Sequence, residues 1–166
     1  MVPVKDHRTF VEAARLLDRP HARFVFIGGG ELEAEVRAQA AGLRCHFLGW
    51  RRDVHRLYAD LDALVLSSVN EGTPVALIEA MAAGVPVAAT RVGGVADLLR
   101  EGARGELAPP SNPAALADAM RRALSPAARA RAETIRAEVL AEYGAERLCR
   151  DLADLYDELL RKRAIQ

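Results

Sequence analysis

Two hydrophobic rhythms alternate along this chain, and each predicts a different element. Phe10, Ala13, Ala14 and Leu17 recur at helical spacing and predict a helix over 7–17. The run Arg23-Phe24-Val25-Phe26-Ile27 is short and unbroken, as a strand is, and it stops at Gly28-Gly29-Gly30. A helix over 31–41 ends at Gly42, a strand over 45–48 ends at Gly49, and a short helix covers 54–59. Residues 63–67 (ALVLS) form a continuous apolar strand of the type buried in parallel sheets. A helix from Pro74 to the Gly84-Val85-Pro86 break follows, then a strand over 86–90. A helix over 96–100 and a last strand over 105–108 close this alternating part.

From Asn112 onward the pattern is helical. Asn112 caps and Pro113 starts a helix that runs to Leu124, where Ser125-Pro126 interrupts it. Helices over 127–142 and 145–163 follow. The last carries Leu148, Leu152, Leu155, Tyr156, Leu159 and Leu160 as its packing stripe. Strand–helix alternation predicts an α/β fold, a Rossmann-like parallel sheet with helices on both faces. Residues 1–124 read as that unit, and 125–166 as C-terminal helices packing on it. In such sheets ligands lie beyond the C-terminal strand ends, where Gly28, Ser67 and Glu71 fall.

The stretch 71–90, EGTPVALIEAMAAGVPVAAT, carries most of the chemistry. Thr73 suits the N-cap and Pro74 the first helical position. The N–H groups of Val75, Ala76 and Leu77 would then point outward with the positive end of the helix dipole, a ready phosphate site. Glu79 lies in a helix that is apolar on nearly every face, which predicts cover on both sides. A buried carboxylate needs donors, and vicinal sugar hydroxyls are donors of that kind. Glu71 would stand at the mouth of the anion site beside Gly72. Together these residues read as a site for a nucleotide attached to a sugar. The competing explanation is a buried helix whose glutamate pairs with an arginine. Spacing alone carries no argument, because Glu138 and Glu146 repeat it in a polar helical region.

Composition narrows the classes. Lysine plus arginine balance aspartate plus glutamate at 23 each, so no long-range field points to nucleic acid or a membrane surface. Cys45 and Cys149 have no partnering pattern, which suits a reducing cytosol, and a cytoplasmic location is expected. The start MVPVKDHRTF is neither a signal nor a transit peptide, and no apolar run nears the ~20 residues of a membrane span. The four histidines never fall at ligand spacing, so no metal site and no cofactor are expected.

The other candidates stay open from their own residues. Gly28-Gly29-Gly30 is either a tight turn or a close backbone approach to a ligand, and it is not a dinucleotide fingerprint because Glu33 stands at the third glycine position. Gly93-Gly94 is similar. Trp50, Arg51 and Arg52 follow a strand end, where a base could rest on the ring or the ring could cover the core. Lys5 could neutralise a diphosphate or be merely solvated. Ser67 and Ser68 lack the G-x-S-x-G elbow, which excludes the hydrolase reading.

The segments VPVKDHRTFVEAA, FVFIGGGELEAEV, HFLGW, LDALVLSS, EGTPVALIEAMAAGVPVAATRVGG and GELAPPSNPAALADAM resemble the C-terminal, donor-binding domain of retaining GT-B glycosyltransferases of family 4. The resemblance runs from Val2 to Leu124. It implies that Glu71 contacts the donor sugar and supports the reacting centre, and that Glu79 holds the ribose hydroxyls. It further implies that Lys5 stabilises the leaving diphosphate, that the amides after Gly72 cradle it, and that 49–51 lies near the base. The family transfers a hexose-type unit with retention and without a bound metal.

Two features of that family are missing here. Its members have an N-terminal Rossmann domain that carries the acceptor site, and a strand immediately before the segment starting at Val2. The chain is therefore expected to leave a gap in the sheet, close the sheet without that strand, or receive the strand from another molecule. It is expected to bind a nucleotide-diphosphate sugar and to need the N-terminal domain, in cis or in trans, for transfer. The competing readings are a non-catalytic or split-enzyme module pairing with a separate N-terminal subunit, and another GT-B enzyme such as a sugar-nucleotide epimerase. The epimerase chemistry needs a histidine and carboxylates at places where none is found.

Overall fold

The computed structural model describes residues 1 to 164. A 3-10 turn over Pro3–Lys5 leads into α1 (His7–Leu16), whose start is fixed by Asp6 accepting from the Thr9 N–H. The alternation then follows the hydrophobic pattern: β1 (Phe24–Phe26), α2 (Glu33–Gln39), β2 (Cys45–Phe47), α3 (Val54–Tyr58) and β3 (Leu64–Leu66). Next come α4 (Val75–Ala82), β4 (Val87–Thr90), α5 (Val95–Leu98) and β5 (Glu106–Ala108). Three helices complete the described residues: α6 (Pro113–Ala123), α7 (Pro126–Tyr143) and α8 (Ala145–Ala164). Asn112 and Ser125 cap α6 and α7 through their side chains, and each helix opens on a proline.

All strand pairs are parallel, and helices cover both faces. α1, α2 and α6 pack on one face with Phe24, Phe26, Ala88 and Ala108 in their core. Tyr58 of α3, with α4, α5 and α7, packs on the other with Val87 and Ala89. Alternate residues of β4 thus serve opposite cores, as the period of a strand requires. The sheet itself is divided. β1 pairs with β2, and β3–β4–β5 form a separate ladder, with no strand pairing between β1 and β3. Among the described residues no strand lies between β1 and β3.

Two expectations about burial need correction. β3 is half-exposed at all three positions rather than buried, because only β4 flanks it. The leucines and tyrosine of the α8 stripe are 42–64% exposed, whereas Ala128, Ala132, Ile135 and Val139 bury α7. α7 lies against α4 across the sheet's face, while α8 extends beyond that contact and has α7 as its main neighbour.

Candidate functional site

The loops after β3 and β4 meet at the C-terminal end of the sheet and build one cluster. Lys5 Nζ donates to Glu71 Oε1 at 2.5 Å, and Ser68 Oγ donates to the same oxygen at 2.6 Å. The Glu71 side chain is only 11% exposed. Its carbonyl accepts from the Gly94 N–H at 3.1 Å, and a Cβ on Gly93 would collide with that carbonyl. Gly93 also has positive φ, so two independent reasons demand glycine there. Thr90 Oγ1 donates to the Ser68 carbonyl at 2.5 Å, and both residues are fully buried. The ends of β3 and β4 are thereby tied by side chains as well as by the ladder.

Lys5 reaches Glu71 because the N-terminal segment is strapped across the strand ends. The Met1 amine donates to the Gly29 carbonyl, and the Met1 carbonyl accepts from the Leu32 N–H. At the other end the Val69 N–H donates to the Val4 carbonyl at 2.9 Å, and Ser67 Oγ donates to the Lys5 carbonyl at 2.8 Å. Residues 28–30 form a close backbone approach whose recorded neighbour is the chain itself: a Cβ on Gly30 would collide with Met1. The Gly28 N–H donates to the Gly49 carbonyl at 2.7 Å, joining the loops after β1 and β2.

The start of α4 differs in detail from the expected cap. Pro74, not Thr73, is the N-cap, and no side chain caps the helix. The Val75 N–H donates to the Thr73 carbonyl and the Leu77 N–H to the Pro74 carbonyl, each at 2.9 Å. A tight turn into the helix therefore uses two of the three amides expected to be free. The Ala76 N–H has no acceptor among the described residues. Gly72 and Thr73 are exposed beside it.

Glu79 is likewise not buried. Val75, Glu79 and Ala83 form an exposed stripe along α4, while Leu77, Ala80 and Met81 pack inward. The apolar sequence reflects contact with α7 on one side and the sheet on the other, leaving this strip open. Tyr58 Oη donates to Glu79 Oε2 at 2.9 Å, so a tyrosine rather than an arginine is its partner. Burial, helped by the adjacent Glu79 carboxylate, pushes the Tyr58 hydroxyl well above its ordinary range and keeps it a donor.

Trp50 is 86% exposed and does not cover the core; its indole N–H edge lies against Gly29. Arg51 pairs with Asp53 at 2.7 Å. The sequence-identified residues thus fall into two groups, Lys5–Glu71 with the α4 start, and Gly28 with Trp50 and Arg51. Residues 1–5 span from one group to the other. Sequence reasoning overlooked Ser68, Thr90 and Tyr58. The paired serines at the end of β3 were a signal, set aside because they were read only as nucleophiles.

The family model described as "Glycosyl transferases group 1" matches residues 1–126. The chain belongs to this family. The Salmonella typhi Vi polysaccharide biosynthesis protein VipC/TviE is 43% identical over 98 residues, covering 56% of this chain and 17% of that protein. Among solved structures, sucrose-phosphate synthase from Thermosynechococcus elongatus superposes with a TM-score of 0.83 at 28% identity, over 97% of this chain and 44% of that one. Anabaena Alr3699/HepE in complex with UDP and glucose gives a TM-score of 0.83 at 22% identity, over 95% of this chain and 46% of that one, a likeness of fold. This glycosyltransferase domain therefore spans less than half the length of each of these proteins, and its fold is that of one GT-B half. No helix among the described residues is long and apolar enough to cross a membrane.

Proposed function

We propose that this domain is the donor-binding half of a retaining, metal-independent, hexosyl-type glycosyltransferase, and that it binds a nucleotide-diphosphate sugar without completing transfer alone. The observation that carries the reading is the Lys5–Glu71 pair, held at 2.5 Å beside the exposed turn that opens α4. A cation and a carboxylate fixed together suit a reaction in which positive charge grows on the sugar carbon and negative charge on the departing diphosphate.

In this reading the Lys5 ammonium and the Ala76 N–H meet the diphosphate, and the α4 dipole adds to their field. These donors are in place before reaction, so little reorganisation is required when the bond breaks. Glu71, held by Lys5 and Ser68, faces the sugar. Glu79 offers its second oxygen to the ribose hydroxyls while Tyr58 holds the first. Trp50 and Arg51 stand where the base would lie. The acceptor groups would come from an N-terminal domain, joined in cis or bound in trans. The Anabaena structure's UDP and glucose support the choice of donor class.

Calorimetric titration with UDP, GDP and ADP and their hexose conjugates tests the proposal, with Glu79→Gln in parallel. One nucleotide class is expected to bind, about tenfold or more weakly in the variant, as the loss of a charged hydrogen-bond acceptor implies. Equal binding by Glu79→Gln, or sugar transfer by the purified chain at an ordinary enzymatic rate, would overturn it.

A further inference from the structure

Lys5 and Glu71 are held in place by contacts other than their own ion pair. The Lys5 carbonyl accepts from Ser67 Oγ at 2.8 Å, and the neighbouring Val4 carbonyl accepts from the Val69 N–H at 2.9 Å. The Glu71 carbonyl accepts from the Gly94 N–H at 3.1 Å, with Gly93 packed against the same oxygen. Both backbones are thus anchored elsewhere, and the Lys5–Glu71 contact is made by side chains alone. The ammonium sits on a flexible aliphatic stem, so it can change partner while the strap stays where it is.

The two partners are unequal in cover. The Lys5 side chain is 38% exposed and the Glu71 side chain 11%. Lys5 and Ser68 both donate to Glu71 Oε1, and Oε2 has no donor among the described residues. An ammonium that lets go of Glu71 turns to water or to an anion arriving from solvent. The carboxylate it leaves is mostly covered and keeps only the Ser68 hydroxyl. Drawing one partner out of a covered ion pair leaves the other charge uncompensated, and that cost falls on whatever draws it away. A second donor arriving at the carboxylate removes the cost, and a hydroxyl is such a donor.

A nucleotide-diphosphate sugar brings both requirements at once. Its phosphate oxygens draw the Lys5 ammonium, and its sugar hydroxyls replace that ammonium at Glu71. A bare nucleoside diphosphate brings only the first. We infer that the Lys5–Glu71 pair is a specificity determinant that favours the sugar-bearing nucleotide over the bare nucleoside diphosphate. Glu71 withholds the ammonium until hydroxyl donors take its place. This rests on the donor-binding reading and gives Glu71 a second role there, competing with the diphosphate as well as contacting the sugar. The same competition favours departure of the diphosphate once its sugar has gone.

Calorimetry on the intact chain tests the inference with UDP, GDP and ADP and the hexose conjugate of each. Glu71→Gln, Lys5→Met and the double variant are compared with the unaltered chain. Glu71→Gln keeps an acceptor for Ser68 and removes the charge that competes for Lys5. For the nucleotide class that binds, the bare diphosphate should bind Glu71→Gln about tenfold more tightly, the effect of one charge-assisted hydrogen bond that no longer has to be broken. The hexose conjugate should gain much less or lose affinity, so its preference over the diphosphate shrinks. In the Lys5→Met background, Glu71→Gln should bring no gain. A gain that persists without Lys5, or equal gains for both ligands, would reduce Glu71 to simple charge repulsion and overturn the inference.

Protection of the Val69 and Gly94 amides from hydrogen exchange should be the same in every variant, because their bonds are to backbone carbonyls. Loss of that protection in Glu71→Gln would mean that the ion pair holds the strap, and would also overturn the exchange of partners. Binding that is weakened by Glu79→Gln and unchanged by Glu71→Gln would overturn the inference and leave the donor-binding reading standing. No binding of any nucleotide to any variant would sink both.

Discussion

β3 and β4 are paired neighbours whose burial runs against their hydrophobicity. Leu64-Val65-Leu66 is the more apolar segment, yet all three residues are half-exposed. Val87-Ala88-Ala89-Thr90 is smaller and more polar, yet buried at every position. The difference lies in their flanks. β4 has a strand on both sides and a helix layer on each face, while β3 has a strand on one side and a cavity on the other. Burial follows the number of neighbours a strand has, and an apolar strand without its full set marks a place where something can be added. The candidate site straddles this boundary: Glu71, on the loop leaving the half-covered strand, is held by Gly93 and Gly94 on the loop leaving the fully covered one.

The largest expected effect comes from breaking that hold. Gly93→Ala puts a Cβ into the Glu71 carbonyl at a positive φ. Clash and backbone strain together should cost about 3 kcal/mol, read by urea denaturation. Because the loops must separate, Lys5 should also lose its partner, and any nucleotide binding should fall with it. A loss below about 1 kcal/mol would mean that the β3 loop does not depend on β4.

A matched pair of substitutions sharpens the comparison at smaller scale. Val87→Ala in β4 empties a site 1% exposed and should cost about 2 kcal/mol. Val65→Ala in β3 removes the same atoms beside an existing cavity and should cost less than about 1 kcal/mol. Equal losses would show that the gap is closed in solution.

The same contrast explains what the sequence could tell. Helices and strands were legible because their apolar period or runs are local, and the cap at Asn112 follows from residue type, whereas Ser125-Pro126 reads as a break and proves also to cap α7. The family pattern singles out Lys5 and Glu71 separately but not their ion pair, since nothing local links positions 66 apart. What could not be read was cover. Glu79 and the α8 leucines were assigned burial from hydrophobic context, but exposure depends on which neighbours arrive, and α4's outer strip and α8 have too few. The Pro74 cap escaped because Thr73 is the better capping residue by type, while the turn into α4 uses its carbonyl instead.

The subtlest difference between the two ladders concerns acid. On the β1 side His7 packs its ring edge-on to Phe26 at 6.0 Å, and burial, then the N-terminal amine and Lys5, hold its pKa below the ordinary 6.5, with Asp6 opposing. Its neutral form is the one the fold favours. The contribution is therefore complete above pH 6.5 and is lost as pH falls from 6.5 through the lowered value. On the β5 side burial raises Glu106, but hydrogen bonds from Arg122 and Arg131 outweigh it and leave the carboxyl below its ordinary 4.5. That contribution is complete above 4.5 and is lost as pH falls through the lowered value. Acidification should loosen the β1 side first and the β5 side only later. Hydrogen exchange of β1 and β5 amides across the two windows checks the order. His7→Phe should flatten the first step and leave the second, and Glu106→Gln the reverse. One cooperative loss shared by both ladders would mean that the cavity between β1 and β3 does not divide the sheet energetically, because the helices spanning both faces bind its halves into one unit.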